Sequence, residues 1–338
     1  MKLLKNTLIL VLILLVAFVA YGAFFVDNSP LTYFSSKSAS STVYVENGVS
    51  GVVTITDPSL HRTMEFNINY YVLETGSGVI VSKNGYIITA FHVIGDPQAN
   101  EVNVLKKLSD NDIKLYVEQA AVSNYLLNYN PQLGAELSNS NMVSPDNLSA
   151  NTRTTTNLLI QNNLIHVNSY KHVIKVKFAA PTGVKPLNAQ LVDVGNSGSD
   201  DDVALLKVDP AGRNLPALKV SSQDLKKGEN IRIYGYPASS EITQSQLSVT
   251  PSTTTGKLIS EVRNSYNVIY YKTNASTYSG YSGGPVLNNK NQVVGILIYG
   301  LKSRGSFMQQ IESKYSLFLS SNYIIQICRK NNVPLDIV

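Results

Sequence analysis

A single cysteine, Cys328, is present in the whole chain. A disulfide framework needs at least two and a thiolate metal site several, so both are excluded. No His or Lys lies beside Cys328 except Lys330, so Cys328 reads as a buried apolar residue rather than a reactive thiol. Tryptophan is absent, against 20 tyrosines, and there are four histidines: His61, His92, His166 and His172. Lys and Arg number 28 and Asp and Glu 23, a net charge of +5 with no basic block. That argues against nucleic acid as a partner. There is no HExxH, no phosphate-binding glycine loop and no acidic calcium loop, so neither a metal nor an organic cofactor is expected. No internal repeat of fixed period occurs. The chain is 43% hydrophobic over 338 residues, enough for one large or two medium domains.

One long apolar run is present. Lys2 and Lys5 precede an uncharged stretch of 21 residues from Asn6 to Val26. That length suits a membrane-crossing helix, whereas the apolar region of a cleaved signal is shorter. Residues 1–26 are therefore expected to be a single-pass anchor. The lysines before the run place the rest of the chain outside the cytoplasm. The alternative is secretion after cleavage at Ala20-Tyr21-Gly22. Residues 27–47 are expected to form a Ser-rich tether.

Beyond it the pattern is β. Strand-like runs occupy 50–57, 66–73, 172–180, 187–195, 202–209, 229–237, 267–274 and 286–300. Within 76–94, two β-branched runs flank Asn84-Gly85, a strong hairpin signal, with His92 just past the second. Many short strands without alternating helices predict antiparallel barrels or a sandwich rather than a doubly wound α/β fold. Two segments break the pattern. Residues 108–128 open with Ser109, Asp110 and Asp112 and repeat apolar residues at helical spacing. Residues 137–157 are polar and read as a loop. The segment 306–332 ends in a predicted short helix.

The stretch "YSGYSGGPVL" (278–287) places Ser282 among glycines. A serine nucleophile needs a base, and the base an orienting acid. All four histidines precede Ser282, so the order Ser–acid–His of the α/β-hydrolases is excluded although "GYSGG" fits their motif. Subtilisin order would put the acid before the base; Asp27 and Asp57 are present there, but neither is in a suitable context. The order His–Asp–Ser remains.

Three segments then carry a resemblance to chymotrypsin-clan serine proteases, and specifically to the HtrA/Deg family: "GSGVIVSKNGYIITAFHVI", "DDVALLKV" and "TNASTYSGYSGGPVLNNKNQVVGI". Two softer matches, "SGVVTI" and "LPALKVSSQDLKKGENIRIYGYP", extend it over about 48–104 and 170–328. The resemblance implies a mainly β fold of two antiparallel six-stranded barrels. It implies His92 as base, Asp202 as acid in preference to Asp200 and Asp201, and Ser282 as nucleophile. The N–H groups of Gly280 and Ser282 would form an oxyanion hole. Ser276 and Thr277 would lie at the specificity pocket; neither is acidic, so small or apolar side chains are expected in preference to Arg or Lys. Polypeptides, unfolded ones included, are the implied substrates, protein quality control the implied role, and a homo-oligomer is implied by analogy. His61, His166 and His172 are expected to be structural.

This sequence departs from the family in four ways. The interval from His92 to Asp202 is long, and the excess, about 105–169, reads as a decoration, a lid, a substrate-binding arm or an oligomer contact. Tyr281 stands where the family usually has Asn, and with Tyr278 is a candidate to line the cleft. Val93 follows His92 where disulfide-rich relatives carry Cys. No PDZ domain is expected after the protease domain (48–328), leaving 329–338 as a tail. Asn147 lies in a plausible glycosylation sequon; the sequon at Asn274 reads as chance. The competing reading is a catalytically inactive protease-like scaffold or chaperone, motivated by Tyr281 and the insertion.

Overall fold

The computed structural model describes residues 37–101, 105–129, 150–179, 182–196, 201–237, 251–299 and 315–338. The apolar run at 6–26 lies outside them. Among the described residues no helix is long and apolar enough to cross a membrane.

Among the described residues, twelve strands close into two antiparallel barrels. The first is ordered β1 (Thr42–Asp57), β2 (Arg62–Ser82), β3 (Tyr86–Thr89), β6 (Ala204–Val208), β5 (Leu187–Val194) and β4 (Ile165–Phe178). The second is ordered β10 (Pro285–Leu287), β11 (Val293–Tyr299), β12 (Ser316–Ser320), β9 (Ile269–Thr273), β8 (Ser252–Arg263) and β7 (Asn230–Gly235). This is the two-barrel fold that the resemblance implied. The Asn84-Gly85 hairpin forms between β2 and β3. Gly85 sits at φ +99°, and a Cβ there would stand 2.3 Å from the Val208 carbonyl, so only glycine fits. In the first barrel Val43, Val45, Ile80, Ile87, Val176 and Leu206 share one face by strand register and are all buried; Ile231, Ile233, Tyr271, Val286 and Phe318 fill the second. A short α1 (Phe91–Ile94) leaves β3 and carries His92.

Three sequence boundaries shift. β1 begins at Thr42, inside the range assigned to the tether. Residues 37–40 form a helical turn, and Thr42 Oγ1 donates to the Ser38 carbonyl at 2.9 Å. Residues 42–50 are buried, because "TVYVENGVS" pairs with both β2 and β4. The insertion ends earlier than 169, since β4 starts at Ile165. At the other end, 329–338 is no free tail. It follows α5 (Ser321–Lys330), and Val338 N–H donates to Val220 O at 3.0 Å while Val220 N–H donates to Asp336 O at 2.9 Å.

The insertion builds a second layer. After α2 (Pro97–Glu101) it forms α3 (Asp110–Tyr129) and α4 (Ala150–Gln161), so residues 150–157 are helical rather than loop; 137–149, Asn147 included, lie outside the described residues. Ser109 caps α3: its Oγ accepts from Asp112 N–H at 3.2 Å, and the Asp112 carboxylate accepts from Ser109 N–H at 2.8 Å. β1, β2 and β4 run past the barrel. There Val49, Val53, Ile55, Ile68 and Leu73 meet Ile113, Tyr116, Val117, Ala120, Ala121 and Val122 of α3 in a separate core. Cys328 is fully buried on α5, and desolvation pushes its thiol up to about 12, as expected of an apolar core residue.

Candidate active site

The seam between the barrels gathers the three segments singled out from sequence. α1 presents His92, with its side chain 17% exposed. Asp202, 1% exposed, stands just before β6, which pairs with β3 so that Thr89 faces Ala204. Register thus brings residues 110 apart in sequence into contact. Asp202 Oδ1 accepts the His92 backbone N–H at 2.9 Å, and Oδ2 lies 2.5 Å from Nδ1 of the ring. A carboxylate accepts and cannot donate, so Nδ1 carries the proton and Nε2 is the ring nitrogen that bears the lone pair. Asp201 takes another part, offering its carbonyl to Val203 N–H at 2.7 Å. Asp200 lies outside the described residues.

Ser282 reaches the seam from the second barrel. The loop 278–284 is docked on the first barrel through Ser77. The Ser77 N–H donates to Ser282 O at 2.7 Å; its hydroxyl donates to Gly280 O at 2.7 Å and accepts from Tyr236 N–H at 2.9 Å. A Cβ on Gly76 would stand 2.6 Å from Val93 and 2.9 Å from Ser282 O, so the residue after His92 and the loop carrying Ser282 converge on one glycine. Gly283, at φ +82°, lies so close that a Cβ would be 2.2 Å from Ser77 O. Ser77 was missed in the sequence. Its signal was the "GSG" context, a serine between two glycines where backbones approach closely.

The Ser282 hydroxyl donates to Ile298 O at 3.1 Å. With one proton to give, it must turn from that carbonyl to engage a base. Gly280 holds φ +90°, a conformation open to glycine. Among the described residues, the N–H groups of Gly280 and Ser282 donate to no protein acceptor. Two neighbouring amide dipoles beside a serine hydroxyl suit a developing oxyanion.

The pocket residues diverge. Ser276 is exposed, whereas Thr277 is buried, 2.8 Å from Ser316 Oγ. Ser316 donates its proton to Ala275 O at 2.9 Å, so Thr277 donates to Ser316 and neither hydroxyl is left to donate. Tyr281 does not line the cleft. It is 3% exposed, packed in the second barrel with its ring against Gly235, whose lack of a side chain makes room. Tyr278 is 54% exposed.

The other histidines lie apart from Ser282. His61 is exposed in the β1–β2 turn at φ +50°, and His166 is exposed on β4. His172 is largely buried; its Nε2 donates to Asn47 Oδ1 at 2.6 Å, and desolvation pushes its pKa down to about 4. Folding therefore excludes its proton. This contribution is complete above the unfolded value of ~6.5 and is lost as pH falls from there towards 4, by at most about 3 kcal/mol. We expect His172→Gln, which keeps a donor but cannot titrate, to flatten the melting temperature between pH 4 and 7 relative to wild type. Parallel curves would contradict this.

A buried carboxylate orienting an imidazole, and a serine in a glycine turn beside free amides on a double barrel, define the class of trypsin-like serine peptidases. The comparisons agree: a model described as a trypsin-like peptidase domain matches residues 137–296, which contain Asp202 and Ser282. Glutamyl endopeptidase of Staphylococcus epidermidis is 32% identical over 151 residues, covering 41% of this chain and 43% of the relative. Serine protease HTRA1 of Xenopus tropicalis is 34% identical over 132 residues (39% and 27%). A probable periplasmic serine endoprotease DegP-like of Pseudomonas putida is 38% identical over 108 residues (32% and 21%). The chain spans less than half the length of these relatives. The trypsin-like peptidase domain and these relatives, HtrA/DegP serine proteases and a glutamyl endopeptidase, are what the chain is similar to.

Proposed function

We propose that the protein is a serine endopeptidase that hydrolyses peptide bonds through His92, Asp202 and Ser282. The observation that carries this is the double contact of Asp202 with His92, to backbone N–H and Nδ1, beside the docked loop of Ser282. Ser282 Oγ attacks the scissile carbonyl as Nε2 of His92 takes its proton. The carbonyl oxygen, now negative, is held by the N–H groups of Gly280 and Ser282. Collapse of the tetrahedral species expels the amine, which takes the proton from His92 and leaves an acyl-enzyme. Water, deprotonated by His92, then releases the acid and restores Ser282.

The substrate is a polypeptide, with a small or apolar residue before the scissile bond. The hydroxyls of Thr277 and Ser316, used on each other and on Ala275 O, support an uncharged pocket floor. In this the chain would differ from the relative named for glutamyl cleavage. Residues 6–26 would anchor the enzyme as a single span with the catalytic domain outside the cytoplasm, in keeping with a quality-control role for exported proteins. The inactive-scaffold reading draws less from Tyr281, because that side chain is a core residue rather than one lining the cleft.

A fluorophosphonate probe tests the reading. One equivalent should be incorporated, and peptide mapping should place it on Ser282. Absence of reaction by the folded protein, or modification elsewhere, would refute it.

A further inference from the structure

The four-residue helix α1 is too short to hold its own orientation, and its N-cap Ala90 offers no side-chain cap. What aims His92 must come from tertiary bonds. At one end Asp202 takes the His92 N–H. The other end, Gly95-Asp96, is gripped from two directions. From the barrel, Asn47 Nδ2 donates to Gly95 O at 2.9 Å, with Asn47 in turn fixed by His172. From the insertion side, Asp96 N–H donates to Lys106 O at 2.8 Å, Lys106 Nζ lies 3.2 Å from Asp96 Oδ2, and the Tyr116 hydroxyl donates to Asp96 Oδ1 at 2.8 Å.

Tyr116 is 1% exposed and Asp96 5%, so this bond is shielded from water. Lys106 also pairs with Asp112 at 2.9 Å, which ties the base segment to the first turn of α3. A helix held only by apolar packing would not send a phenol from mid-helix into a buried carboxylate four residues after the base.

We propose that the insertion braces the catalytic base: Tyr116 is a positioning residue that, through Asp96, fixes α1 and so the imidazole of His92. This rests on the reading of His92 as the base. α3 stands on the extension of β1, β2 and β4, and its second core makes a rigid footing from which Tyr116 reaches the base segment.

The experiment measures inactivation of the full chain by a fluorophosphonate, resolving kinact from KI, together with melting temperature. Tyr116→Phe removes only the donor. It should lower kinact about tenfold with KI unchanged, since a small misplacement of a catalytic group is enough. Asp96→Asn keeps an oxygen for Tyr116 and should retain most of kinact, whereas Asp96→Ala should fall with Tyr116→Phe. Val122→Ala, in the same helix and core but remote from Asp96, should lower the melting temperature without lowering kinact. Wild-type kinact in Tyr116→Phe, or a loss in Val122→Ala that tracks its melting temperature, would overturn the brace. An unreactive wild type would overturn the serine-protease reading, and the brace with it.

Discussion

Replacing Ser282 with alanine is expected to lower peptide hydrolysis about 10⁶-fold, down to what binding and amide dipoles alone supply. The fold should survive. The side chain makes one bond, to Ile298 O, while the contacts that dock the loop run through the backbone of residue 282 and the Ser77 hydroxyl. The stability change should be about 1 kcal/mol or less. Cleavage of an unfolded protein substrate by purified wild type and Ser282→Ala checks this. Comparable rates would mean that the reacting hydroxyl is elsewhere.

The second large effect belongs to Asp202. Its oxygens accept two donors from one residue, the His92 N–H and Nδ1–H. Asparagine has one acceptor and one donor. If its oxygen keeps the backbone N–H, its amide faces Nδ1. The ring must then accept at Nδ1 and carry its proton on Nε2, where a base needs a lone pair. Asp202→Asn is therefore expected to lower kcat about 10⁴-fold with little change in KM, as a wrong tautomer does. Asp202→Ala should do comparable damage and also destabilise the protein, since it strands the His92 N–H in a site where the carboxylate was 1% exposed. Wild-type kcat in Asp202→Asn would remove this carboxylate from the mechanism.

Much of this was legible in the sequence. The Asn84-Gly85 turn and the strand carrying "VALLKV" are local signals, the order of the histidines and Ser282 is read directly along the chain, and the resemblance built on these segments implied the scaffold. The strands overlooked were of two kinds. β8, "STTTGKLISEVR", is polar and only partly buried, so its alternation was faint. β12, "SLFLS", is buried throughout and runs directly into α5, so its apolar run merged with the helix. The insertion's helix α3 was readable from its cap and spacing. Its partner surface was not, because that surface is made by β1, β2 and β4 continuing past the barrel, a property of pairing register. Tyr281 misled for a similar reason: proximity to Ser282 in sequence says nothing of direction, and the vacancy that receives its ring is supplied by Gly235, 46 positions earlier. Ser77 and Tyr116 act across barrels or layers, on partners that no neighbouring residue announces.

The most direct measurement is a crystal structure of the protein after reaction with a fluorophosphonate. The account predicts phosphorus bonded to Ser282 Oγ, one phosphonyl oxygen held by the N–H groups of Gly280 and Ser282, and Nε2 of His92 within hydrogen-bond reach of the adduct while Nδ1 remains on Asp202. An adduct on Ser282 with the His92 ring turned away, or with another basic group beside the phosphorus, would contradict it.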